Sequence, residues 1–170
     1  MTTKNKSETF AFVVFCAAIL FSVFIYPEVI DAAELPTKAL TPGVADKAVT
    51  QRNIKSTICK PGYTKTVRNV PSSMKKRVYG RYGLTGNNTG YCMVKEGCEI
   101  DHLIPLELGG NNNIENLWPQ PYTGLWNAHM KDALENTLNA RVCSKKMTLV
   151  IAQQVISENW ETAYSKYVRK

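Results

Sequence analysis

The sequence predicts an α+β domain, and three observations carry that expectation. The centre of the chain reads strand, glycine-rich loop, short strand, helix. A second long amphipathic helix follows it. Four cysteines remain beyond the N-terminal apolar run, Cys59, Cys92, Cys98 and Cys143, an even number that suits two disulfides in an exported domain. At 170 residues the chain fits one such domain with small appendages.

The first 33 residues stand apart. "FAFVVFCAAILFSVFIY", Phe10 to Tyr26, has a single polar member, Ser22, and holds all five phenylalanines of the chain. Lys4 and Lys6 precede it, Pro27 breaks it, and Ala32 and Ala33 offer small residues for cleavage. The run is long for the apolar part of a signal peptide and short for a spanning helix. Residues 1–33 are therefore expected to be a signal peptide, with an N-terminal membrane anchor as the alternative. Either way the domain is expected to be periplasmic or secreted, touching a membrane only through residues 10–26 if these are uncleaved. The whole chain carries 21 basic and 14 acidic residues, +7. Two of the lysines and three of the acids lie before residue 34, so the remainder has 19 against 11, +8. A basic balance favours polyanionic partners, nucleic acid first among them.

Residues 34–70 are expected to be linker and N-terminal extension. "ELPTKALTPGVADK" has two prolines and a glycine, and "STICKPGYTKTVR" reads as a short hairpin or irregular strand around Pro61-Gly62. "PSSMKKRVYGRYG", 71–83, reads as a short helix capped by Ser72 or Ser73 and ended by Gly80 or Gly83. Its Lys75, Lys76, Arg77 and Arg81 make it strongly basic. "LTGNNTGY" is a turn-rich loop leading to Cys92.

"EIDHLIPLEL", 99–108, reads as a strand that ends or bulges near Pro105. "GGNNNIEN" is a loop by composition, Asn111, Asn112 and Asn113 included, and "LWPQP" a second short extended segment. "WNAHMKDALENTLNARVC", 126–143, is helical, with Trp126, Met130, Ala133, Leu134, Thr137, Leu138 and Arg141 on one stripe. "TLVIAQQVISENWETAYSKYV" repeats the pattern with Leu149, Ala152, Ile156, Trp160, Ala163 and Tyr167. Four cysteines allow three connectivities. The preferred one joins Cys92 to Cys98 across a short loop and Cys59 to Cys143, tying the N-terminal segment to a helix end. A cysteine-only zinc site is disfavoured, because no C-x-x-C pair is present.

The polar residues of the centre, Asp101, His102, Asn116, Asn127 and His129, suit phosphodiester hydrolysis. That reaction needs a water made nucleophilic and positive charge against the phosphate. A neutral histidine can take the water's proton, and a divalent ion held by few protein ligands keeps positions open for phosphate and water. Asp101 and His102 are neighbours, so on a regular strand they face opposite ways. His129 falls in the first turn of the predicted helix, where the helix dipole disfavours a protonated imidazole.

"IDHLIPLELGG", "NLW" and "AHMKD" resemble the HNH endonucleases, the ββα-metal or His-Me finger class, and more closely its small exported or phage-associated members. The central motif spans residues 99–131, and its ordered set is more specific than any dipeptide in it. The resemblance implies a ββα-metal core with an additional C-terminal helix and an N-terminal extension, and a nuclease domain over residues 71–170. It implies His102 as general base and Asp101 as metal ligand. It implies Asn116 as the residue that holds the loop and orients the base, and His129 as second metal ligand. Family members place H-x-x-K on the helix where this chain has H-x-K with Asn127 two residues upstream, so Asn127 is the alternative ligand. Lys131 falls where such helices place a cation for phosphate, and Lys75, Lys76, Arg77 and Arg81 would add backbone contacts. The implied cofactor is one divalent ion, Mg²⁺ first and Mn²⁺, Ni²⁺ or Zn²⁺ as alternatives. The implied substrate is DNA read with little sequence specificity, with RNA as the alternative. Glu99 and Glu107 are expected to be solvated or ion-paired. Two other classes compete: a non-catalytic exported nucleic-acid-binding protein of the same fold, and a basic domain that binds acidic envelope polymer.

Overall fold

A computed structural model describes residues 34–84 and 97–169. The apolar run 10–26, the loop 85–91 and Cys92 lie outside the described residues. Among those described, the chain is α+β: four α-helices and a two-stranded antiparallel sheet. The helices are α1 (Tyr63–Val67), α2 (Ser72–Arg81), α3 (Ala128–Cys143) and α4 (Leu149–Tyr167). The strands are β1 (Cys98–His102) and β2 (Leu117–Pro121), with Cys98 opposite Pro121, Asp101 opposite Trp118 and His102 opposite Leu117. No helix among the described residues is long and apolar enough to cross a membrane.

The core forms where α3 and α4 meet the end of β1. Leu134, Leu138 and Val142 of α3 pack with Leu149, Ala152, Ile156, Trp160 and Ala163 of α4 and with Leu103, Ile104, Leu108 and Trp118. The helical spacing of the sequence anticipates most of this, because positions three and four apart share a face. Each fully buried Leu or Ile contributes roughly 2 kcal/mol. Asn127 caps α3 by accepting from Met130 N, and Thr148 caps α4 by accepting from Ile151 N. Helix α4 breaks once, at Asn159 (φ −162°, ψ 99°). There the Asn159 side chain accepts from Thr162 N at 2.8 Å, which restarts the helix.

Three expectations are corrected. Residues 34–70 are not a free linker. Val49, Ile54 and Ile58 join the main core, Ala45 bridges Gly110, and Trp160 Nε1 donates to Glu34 O at 2.9 Å. The segment after the Pro61-Gly62 turn is a helix, α1, and not a hairpin. Gly62 takes φ +81° and turns the chain so that Arg68 N reaches Thr64 O. Among the described residues the β-branched threonines have no strand to pair with, and local propensity yields. Helix α2 has no serine cap: Pro71 precedes it, and Ser72 is already helical.

The disulfide between Cys59 and Cys143 forms as expected. It joins the N-terminal segment to the end of α3 across 84 residues of sequence. Cys98 is also disulfide-bonded, and its expected partner Cys92 is outside the described residues.

Candidate functional site

The loop between the strands is locked by one buried amide. Asn116 is fully buried, and its Oδ1 accepts from Ile104 N at 2.9 Å and Val44 N at 3.1 Å. Its Nδ2 donates to Ile104 O and Asn111 O, both at 2.9 Å. Four backbone groups that have no sheet partner are thereby paired. Gly110 lets the loop pack this closely on Ile104. A Cβ there would sit 1.7 Å from Ile104 O, so any other residue would displace the loop. Gly109 takes φ +72° and closes the 3-10 turn Leu106–Leu108 that follows Pro105.

His102 ends β1 and is almost completely buried. Its Nε2 lies 3.1 Å from Asn112 Oδ1. Desolvation pulls the imidazole below the usual histidine range. Arg68 and Lys131 add to that, and Asp101 and the Asn112 contact oppose it. The neutral form is therefore the resident one near neutral pH.

Asp101, one residue earlier, has charged surroundings. Lys131 of α3 is fully buried, and its Nζ donates to Asp101 Oδ2 at 2.6 Å, Glu135 Oε1 at 2.5 Å and His102 O at 2.8 Å. Burial alone would depress this ammonium. The two carboxylates outweigh burial and push it up. Glu135 moves upward too, because desolvation exceeds the attraction of Lys131. Glu99, on the same face of β1, is pushed up to about 7 by desolvation and by the charges of Asp101 and Asp132. Asp132 is raised by desolvation and by Asp101. Around Lys131 there are thus more carboxylates than one ammonium neutralises, although the chain as a whole is basic.

The structure brings Asp101, His102, Asn116 and Lys131 into one strand–loop–helix unit, but with different partners from those expected. Lys131 is not a surface cation for phosphate. Its three donors are spent internally, and it is 0 % exposed. Arg81 is likewise committed, donating to Leu40 O and Ile114 O and tying α2 to the N-terminal segment and to the connection between the strands. Lys76 and Arg77 are exposed on α2 and Lys75 is partly so. His129 is exposed in the first turn of α3, stacked on Tyr122 with ring centroids 6.1 Å apart. No hydrogen bond joins it to Asp101. Asn127 spends its Oδ1 on the helix cap and its Nδ2 on Gly124 O. Among the described residues no group of three or more His, Cys, Asp or Glu side chains is arranged to hold a metal ion. With Asp101 Oδ2 already bound by an ammonium, Asp101 and His129 in this arrangement do not fit a shared divalent ion.

Four participants were not singled out in the sequence. Asn112 reads as loop by composition, and nothing in "GGNNNIEN" distinguishes it from its neighbours. Glu135 stands four residues after Lys131, a spacing that marks a helical ion pair. Asp132 carried no such mark. Arg68 is exposed, lies near His102 and Asp132 electrostatically, and lines a polar cleft of about 230 Å³ with Glu107, Asp132, Glu135 and Asn136. Comparison of the chain with protein-family models, with curated proteins and with solved structures finds no match.

Proposed function

We propose that this domain hydrolyses phosphodiester bonds of nucleic acid outside the cytoplasm as an HNH-type endonuclease, with DNA as substrate and RNA as the alternative. The observation that supports this reading best is His102. It is a buried neutral histidine, fixed through Nε2, at the end of the strand that carries the D-H of the motif. The asparagine of the motif, Asn116, fastens the loop beneath it. In this reading His102 takes a proton from water while the water oxygen attacks phosphorus. Arg68 is the exposed cation closest in effect to the base, and it takes the phosphate-facing role first expected of Lys131. Lys76 and Arg77 hold backbone phosphates farther along without reading sequence. Asp101 orients the end of β1 through Lys131, which also holds His102 O.

The experiment is plasmid and RNA cleavage by the purified protein, run with Mg²⁺, Mn²⁺, Ni²⁺ or Zn²⁺ and with a chelator. His102→Ala is expected to reduce cleavage at least about a hundredfold, and Arg68→Ala to weaken it less. Equal cutting by His102→Ala and the parent protein removes His102 as the base.

One observation favours a second reading. Asp101, the expected metal ligand, is closed off by Lys131. A non-catalytic nucleic-acid-binding protein with the same site would bind DNA in a salt-dependent way and cleave nothing with any ion.

A further inference from the structure

We propose that Asn112 is a positioning residue that holds His102 in the tautomer protonated on Nε2, so that Nδ1 is the atom that accepts the proton from water. The inference rests on the reading of His102 as general base and names the atom that does the work.

The backbone fixes the orientation of the Asn112 amide. Its Nδ2 donates to Val67 O at 2.8 Å, and its Oδ1 accepts from Asn69 N at 3.1 Å. Turning the amide over would set an N–H₂ against the Asn69 N–H and an oxygen against the Val67 carbonyl, losing both bonds. The group facing His102 is therefore Oδ1, which only accepts. At 3.1 Å it takes a hydrogen from Nε2. A neutral imidazole carries one ring hydrogen, so Nδ1 is left with its lone pair. Nδ1 has no hydrogen-bond partner among the described residues.

The upstream segment that ends α1 thus belongs to the site. Val67 and Asn69 touch no reacting atom. They orient Asn112, and Asn112 orients the ring. In the step itself the water oxygen forms the new bond to phosphorus and its proton goes to Nδ1. The bond to the leaving oxygen breaks with its electron pair on that oxygen, which takes a proton from solvent.

The test reads the ring directly. In ¹⁵N-labelled protein, long-range proton–nitrogen correlation spectra separate the two ring nitrogens of each histidine, and His129→Gln assigns the two residues. At neutral pH, His102 is expected to show a protonated, pyrrole-type Nε2 and an unprotonated, pyridine-type Nδ1. Asn112→Ala is expected to give averaged signals from mixed tautomers and a loss of at least about tenfold in kcat with KM little changed. Asn112→Asp keeps the accepting oxygen but gives up the bond to Val67 O, so it is expected to retain the Nε2–H signature and to recover only part of that loss. A protonated Nδ1 in the unsubstituted protein overturns the proposal. So does an unchanged His102 signature in a folded Asn112→Ala. If Asn112→Ala does not fold, the spectrum of the unsubstituted protein decides alone. If His102-dependent cleavage is found with the wrong tautomer, the base reading stands and the role of Asn112 falls. If the tautomer is as expected and no nucleic acid is cut, Asn112 keeps its positioning role and the base reading falls.

Discussion

On one side of strand β1 lie Glu99 and Asp101, with Lys131, Asp132 and Glu135 reaching them from α3. On the other, His102 meets a side-chain amide and backbone. Asp101 and His102 are adjacent, yet one is held by a buried ammonium at 2.6 Å and the other by an uncharged oxygen at 3.1 Å. The pleat produces the separation, since successive side chains leave a strand on opposite faces. The chemistry of each face then follows from what packs there. On the charged side, desolvation and then the charge of Asp101 raise Glu99, Asp132 and Glu135, while the other side keeps an imidazole uncharged. A base and an ionic scaffold can coexist one residue apart because the backbone between them separates their partners. Lys131 joins the two sides, donating both to Asp101 and to the His102 carbonyl.

Removing that link is expected to have the largest effect. Lys131→Met keeps most of the buried volume and leaves Asp101 and Glu135 facing each other without a cation. Breaking a buried pair in this way costs about 4 kcal/mol. Denaturant unfolding measures it. The deficit is expected to shrink as pH falls, because protonating the two carboxylates removes the repulsion. A deficit that is constant with pH would mean that Lys131 acts through packing alone.

On the neutral side, Asn116→Ala is expected to cost about 3 kcal/mol, since four backbone groups lose their partner and Ile104 loses two bonds. This cost is expected to be independent of pH, because no charge is involved. If both variants showed the same pH dependence, the Asn116 amide would be coupled to the carboxylates around Lys131.

How much of this was legible in the sequence depended on how local the determinant was. The stripe of α4 was readable because helical spacing and burial coincide in Leu149, Ala152, Ile156, Trp160 and Ala163. The pairing of Cys59 with Cys143 came from cysteine count and position. Asn116 was singled out through the resemblance, and its side chain makes four bonds to backbone. Lys131 was misread because a helical lysine is normally solvated, and only the tertiary position of Asp101 makes it a buried link. Asn112 was missed because one asparagine in a run of three has no local mark. Its partners, Val67 and Asn69, lie more than 40 residues upstream. The helix of residues 63–67 was hidden by β-branched threonines, whose propensity depends on a neighbouring strand that the described residues do not supply. Contacts made across the sheet or from distant backbone escape a reading built on spacing.

The smallest expected effect tests whether the charged side is under-neutralised. The Glu99 carboxyl is raised from an ordinary glutamate value of 4.5 to about 7, with desolvation first and Asp101 and Asp132 next. A folded pKa above the unfolded one means the folded state holds the proton more tightly. The contribution of Glu99 to stability is therefore fully present below the ordinary value and is lost as pH rises through about 7. Glu99→Gln replaces the ionised group with a neutral one of nearly the same shape. It is expected to raise the melting temperature by a few degrees at about pH 8 and to leave it unchanged at about pH 4, where both forms are neutral. Tyr122, whose hydroxyl donates to Glu99 Oε2 at 3.4 Å, retains an acceptor in the Gln variant, so loss of that contact does not confound the result. Thermal unfolding followed across that range is the measurement. A variant that is less stable than the parent at the alkaline end would mean that Glu99 is held by a cation, and the picture of surplus negative charge around Lys131 would have to be given up.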